Sequence, residues 1–142
     1  LNAISPTLNF EAGQIASIPI LEMDETNFLR IPQSLIKIAK TDWDSFETSW
    51  DFKSLPILTP PLKSTTLEAS YNNWIAQNKA NIKKMQELEE ENNRLFIEAY
   101  GLEDELTPDV PEEEITLTVN PKYRYGGNLS EEELAKKFRE DT

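Results

Sequence analysis

One short run in the chain has the residue types of a catalytic turn: Asn120-Pro121-Lys122-Tyr123, directly after the alternating stretch Ile115 to Val119. A carboxamide followed by proline can hold an exocyclic amine between its side-chain oxygen and the next carbonyl, while a nearby aromatic ring stacks on a flipped base. Two features speak against that use here. The third position carries Lys122 where such a pattern has a second proline, and no strand with a Gly-rich cofactor turn precedes it. The plainer expectation is a strand that ends in an Asn-Pro turn.

The remaining chemistry is sparse. With no cysteine and no histidine, disulfides, thiolate metal sites, imidazole bases, serine triads and the common zinc sites are excluded. The runs Glu89-Glu90-Glu91, Glu112-Glu113-Glu114 and Glu131-Glu132-Glu133 could bind a hard cation in principle. Consecutive helical positions point in different directions, however, so solvated faces are expected. Lys83 and Lys84 precede Glu87 by four and three residues, which gives weak surface pairs at most. No catalytic residue, metal site or cofactor site is expected within these residues.

Four of the 13 aromatic residues, Trp43, Phe46, Trp50 and Phe52, fall within ten positions. They could stack on unpaired bases. Asp42, Asp44, Glu47 and Asp51 sit among them and argue against a phosphate track, so the expected role is to clamp short helices onto a longer one. Charge is uneven along the chain. The net value is -12, but residues 1–86 hold 9 acidic and 8 basic side chains against 17 and 6 in residues 87–142. Any DNA contact is therefore expected before about Gln86, with Lys37, Lys40, Lys53 and Lys63 as the candidates, or in segments outside this chain.

All of this must hang from one element. Thr66 to Tyr100 is free of proline and glycine and places Leu67, Tyr71, Trp74, Ile75, Ile82, Met85, Leu88, Leu95, Phe96 and Ala99 on one helical stripe. Gly101 supplies the stop and Ser64, Thr65 or Thr66 the cap. Such a helix runs roughly 50 Å and needs a partner along its length. Asn78, Asn81 and Asn92 interrupt the stripe, which favours mixed packing over an unbroken coiled coil.

Around it, Leu8, Phe10, Ile15, Ile18 and Ile20 read as short extended pieces about Gly13, the end of a sheet rather than its whole. A short helix is expected between Asn27 and Lys40 with Pro32 in its first turn, then a second helical turn begun by Thr41 and Asp44. Leu55 to Leu62 is a proline-stiffened connector, and Glu103 to Glu114 an acidic, loosely docked loop. Ile115 to Val119 alternates like a strand, and Ser130 with Glu133 forms a capping box for a last helix carrying Leu134 and Phe138. The expected fold is mainly α with minor β: one helix of about 35 residues packed by short helices, with short strands near both ends. Its divisions are 1–22, the end of a sheet; 23–62, aromatic-rich helices and connector; 63–102, the long helix; and 103–142, acidic loop, strand and the start of a truncated helix. No run approaches a membrane span and no leader opens the chain, so a cytoplasmic location is expected.

Several runs then point to a family. Thr41-Asp42-Trp43-Asp44-Ser45-Phe46-Glu47-Thr48-Ser49-Trp50-Asp51-Phe52 resembles a segment in the C-terminal part of large bacterial adenine-specific DNA methyltransferases, those of fused restriction-modification enzymes and of BREX phage-exclusion systems. Leu88 to Leu102, continuing through Glu105-Leu106-Thr107-Pro108, is a second match. Leu8 to Ile15 with Ile18-Pro19 is similar to the exit strand of a target-recognition domain. The resemblance implies a fragment at the junction of that domain and a helical spacer, partnered by the catalytic and recognition domains of its parent chain and reaching DNA through them. The parent would transfer a methyl group from S-adenosylmethionine to adenine. That cofactor's Gly-rich motif has no match in this sequence, so no catalytic residue is carried over. An alternative reading is a helical interaction module, unrelated to DNA, that dimerises through the long stripe.

Overall fold

The computed structural model describes residues 12–20, 25–126 and 128–141. Helices α1 (Ala12–Ala16), α2 (Glu25–Trp43), α3 (Leu67–Tyr100), α4 (Pro121–Tyr125) and α5 (Glu131–Asp141) are joined by loops that include 3-10 turns at Pro56–Leu58 and Glu112–Glu114. The long helix is the expected one, at 34 residues. Its ends are fixed by local chemistry: the Thr66 hydroxyl oxygen accepts from the Ala69 N–H at 3.1 Å. At the other end Gly101 adopts φ 65°, in the left-handed region. There the N–H groups of Gly101 and Leu102 donate back to the Glu98 and Ile97 carbonyls, a Schellman closure.

Most of the α3 stripe is covered within the chain, although Leu67, Phe96 and Ala99 are exposed and Ile97, outside the expected stripe, is buried. Trp74, Ile82, Met85, Leu88 and Ile97 are all buried. α2 lies antiparallel along it, pinned at one end by an Arg30–Glu91 ion pair of 2.8 Å. Ile31 is buried beneath it, and Leu35, Ile38 and Ala39 pack against the core. On α5, Phe138 stacks on Trp74 with ring centroids 5.6 Å apart, and Tyr71 tilts against the same indole at 5.9 Å. Burial of each such side chain contributes about 1.5–3 kcal/mol.

Two of the short elements differ from expectation. α2 is one helix through Pro32, which therefore sits inside it rather than in its first turn. Packing of Leu35, Ile38 and Ala39 against the core, with Ile31 buried beside Pro32, outweighs the hydrogen bond that proline removes. Thr41 opens no second helix either. Its hydroxyl donates to the Lys37 carbonyl at 2.8 Å, and successive turns carry the chain on to Asp51. The acidic loop is docked, because Gln86 and Asn93 on α3 donate their amides to the carbonyls of Val110 and Pro108 at 2.7 and 3.2 Å.

The expected strands are absent among the described residues. At the N-terminal end, Leu8 and Phe10 lie outside those residues, while Gly13 and Ile15 belong to α1, where local pairing satisfies a backbone with no neighbouring strand. Near the C-terminal end, Ile115, Leu117 and Val119 are buried as the alternation implied, but on an unpaired hook. Its backbone is satisfied by tight local turns, such as Leu117 N–H to the Ile115 carbonyl at 2.8 Å, and by side chains. The Asp42 carboxylate accepts from the N–H groups of Thr118 and Val119 at 2.7 and 3.1 Å. Asp42→Ala should therefore destabilise the chain by about 1.5–3 kcal/mol, the range for hydrogen bonds to a charged group. Urea unfolding checks this, and an unchanged midpoint would mean the hook is held by packing alone.

Candidate functional site

Asn120 carries the catalytic pattern in the sequence, and its surroundings decide what it does. The residue is completely buried. Its Nδ2 donates to the Glu112 carbonyl at 2.7 Å and to the Ile115 carbonyl at 2.9 Å, and its Oδ1 accepts from the Lys122 N–H at 3.1 Å. Both ends of the carboxamide are thus committed to the chain's own backbone. Pro121 follows as the first residue of α4, with Asn120 as the cap. The motif is the expected Asn-Pro turn, though it closes a hook rather than a strand. Lys122 lies 2.9 Å from Glu112 and 3.1 Å from Glu131, and these two carboxylates hold its ammonium above the usual lysine range.

The four candidate DNA-contacting lysines lie in two kinds of surroundings. Lys40 sits 2.6 Å from Asp51 and 3.0 Å from Asp44. Hydrogen bonds to Asp51 and then Asp44 raise its pKa. The Ser49 hydroxyl, ahead of Lys40, lowers that of Asp44. Lys53 lines the same shallow depression as Asp44 and Asp51. Lys37 and Lys63 are exposed and stand outside it. The aromatic cluster is split as well. Phe46 packs on the core, but Trp43 is 53% exposed and Trp50 entirely so, which corrects the expectation that both clamp the helices together. The turns from Asp44 to Asp51 carry Trp50 away from the face that α2 shares with α3.

The glutamate runs serve the fold locally. Glu133 and Ser130 exchange hydrogen bonds in the expected capping box, and the Ser130 backbone N–H, then its hydroxyl, hold that carboxyl below the usual range. Glu89 is pushed up by burial and by neighbouring Glu114. Among the described residues no group of three or more carboxylates is placed to hold a metal ion.

One feature had no sequence signal beyond an interruption in the stripe. A cleft of about 340 Å³ opens between α3 and the α4–α5 pair, walled by Tyr71, Ile75, Ile82, Val119, Leu134 and Phe138, with Asn78 against it. Tyr125 stands on the α4 side of this assembly, between Arg124 and Lys137 at 5.5 and 5.3 Å from its ring. Burial first, then a 2.7 Å hydrogen bond to Asp141, pushes its hydroxyl up to about 12. A raised folded value means that the contribution to stability is complete below the ordinary tyrosine pKa of about 10 and is lost as pH climbs towards 12. Tyrosinate absorbance should therefore show a late step near pH 12 that Tyr125→Phe removes. If no late step is seen, Tyr125 is neither buried nor held by Asp141 in solution.

No protein-family profile matches the chain. Over 120 residues, 82% of its length, it is 32% identical to the adenine-specific methyltransferase PglX of Lacticaseibacillus casei (strain Zhang). Over 139 residues, 98% of its length, it is 32% identical to the adenine-specific methyltransferase BrxX of Escherichia coli O9:H4 (strain HS). The matched stretches make up 10% and 11% of those proteins, so the chain spans about a tenth of the length of the curated relatives it matches. The chain is thus similar to one segment of adenine-specific methyltransferases, in line with the resemblance expected from its sequence.

Proposed function

We propose that this chain is a non-catalytic, recognition-supporting segment of a site-specific adenine DNA methyltransferase, in which α3 is a strut that sets the distance between lobes. S-adenosylmethionine and the methyl transfer belong to the rest of the enzyme, as does the recognised DNA sequence. The observation that carries this reading is the use made of the polar groups. Asn120, Asp42 and Lys122 are all committed to fixing the C-terminal hook, so the residues best suited to chemistry are occupied as fasteners. At 34 residues α3 extends about 50 Å, a span suited to separating domains. Placement of residues 1–22 at the edge of a recognition domain is part of this proposal.

Dimerisation through the α3 stripe is the weaker alternative, since Trp74, Ile82, Met85 and Leu88 are already covered. Direct DNA contact through Lys37, Lys40, Lys53 and Lys63 is weaker too, because Asp44 and Asp51 offset the charge of two of the four.

The test is a break in the strut within the intact methyltransferase. Ala80 is exposed in the middle of α3, and Ala80→Pro removes one helical hydrogen bond at a cost of about 3 kcal/mol or more. Methylation should fall at least tenfold while S-adenosylmethionine affinity is unchanged, as read by equilibrium binding. Calorimetric binding of that cofactor to the 142-residue chain alone would overturn the proposal. Reversal of Lys37 and Lys63 to Glu should change the salt slope of DNA binding by less than about one phosphate contact; a larger change would restore the lysines as contacts.

A further inference from the structure

The acidic loop is docked on an acidic part of α3. Residues 103–114 carry seven acidic side chains and no basic one, and Glu87 to Tyr100 carry five acidic side chains against Arg94 alone. Attraction between charges cannot bring these two segments together. The attachment is neutral instead: Gln86 and Asn93 donate to the Val110 and Pro108 carbonyls at 2.7 and 3.2 Å, and Val110 packs on the core. A further contact, 3.4 Å from the Val110 N–H to a Glu90 carboxylate oxygen, is longer than the usual range and adds little.

Against these bonds stands a like-charge contact. Glu89 on α3 is half-buried, and burial first, then neighbouring Glu114, push its carboxyl above the ordinary glutamate range. Cations within reach are few or already engaged. The neighbours of Glu89 one turn away on α3, Met85, Gln86, Asn92 and Asn93, are uncharged, and Arg94, five residues on, points to another side of the helix. On α2, Arg30 is taken by Glu91 at 2.8 Å, and on α4, Lys122 is taken by Glu112 and Glu131.

We infer that residues 103–114 form a self-repelling strap on α3, closed by the Gln86 and Asn93 amides, opened by repulsion between Glu89 and Glu114, and set between the two by the surrounding ions. Salt closes the strap, because screening cuts the reach of a charge from about 30 Å at 0.01 M to about 3 Å at 1 M. Acid acts in the same direction. A carboxyl whose value is raised in the docked state contributes fully to docking below the ordinary glutamate range, and that contribution is lost as pH climbs through the raised value. A latch made of surface ion pairs would do the reverse and loosen in salt. Glu114 runs straight into buried Ile115, so the state of the strap governs the approach to the hook.

Hydrogen–deuterium exchange of the intact methyltransferase, read peptide by peptide in a mass spectrometer at neutral pH, tests the strap without reference to the scaffold role. Protection of a peptide covering residues 108–116 is compared with that of one from α5 at about 0.01 M and about 1 M sodium chloride. The expected result is a rise of about threefold or more in the 108–116 peptide relative to α5, the factor worth one like-charge pair a few ångströms apart in water. Glu89→Gln should give a similar rise at low salt and remove most of the further effect of salt. Glu114→Gln, on the other side of the contact, should do likewise and serves if Glu89→Gln misfolds. Protection that falls with salt, or that rises equally in both peptides, would sink the strap, as would glutamine variants that leave the low-salt value unchanged.

Discussion

A carboxylate gripping bare backbone is the contact on which the rest of this structure depends. Asp42, one residue from the end of α2, accepts from the adjacent N–H groups of Thr118 and Val119. Those N–H groups lie beside buried Val119 with no strand to receive them, and a buried donor left unpaired is expensive. Once the grip is made, Ile115, Leu117 and Val119 are held against α3, and Asn120 closes the loop from below by bonding the Glu112 and Ile115 carbonyls. α4 then starts from Asn120, and α5 returns to stack Phe138 on Trp74. Residues 76 positions apart thus decide where the last two helices sit.

Elements whose signals are local were legible in the sequence. Thr66, Gly101 and the Ser130–Glu133 box act within a few residues of themselves, and each does in space what its type and spacing indicate. Ile115 to Val119 shows where that legibility stops. A period of two reports which side chains are buried, and it does so here, but it carries no information about whether a second strand exists. Here the partner is a side chain from α2, and nothing at residues 115–119 announces it. The acidic loop departs from expectation for a similar reason. Its composition resembles that of a solvated segment, yet the groups that dock it, Gln86, Glu90 and Asn93, lie on α3 and read there as ordinary solvent-facing side chains.

The aromatic cluster separates two kinds of information that sequence conflates. Trp43, Phe46 and Trp50 share a face only if the helix continues, and it ends at Trp43. The Asp44–Ser49 and Lys40–Asp51 contacts fold the following residues into turns, so Phe46 reaches the core and Trp50 does not. A cluster expected to be a clamp is thereby divided between an inner anchor and an outer, solvent-facing indole.

The far side of α2 is apolar in part. Leu29, Ile36 and Trp43 are 54%, 65% and 53% exposed and are spaced seven apart, which lays a narrow apolar line along the outer surface of the helix. The inner face, with Ile31, Leu35 and Ile38, is engaged with α3. The helix is thus apolar on two sides, of which α3 covers one. The inner contacts brace α3, and the polar groups that might do chemistry are committed to holding the hook.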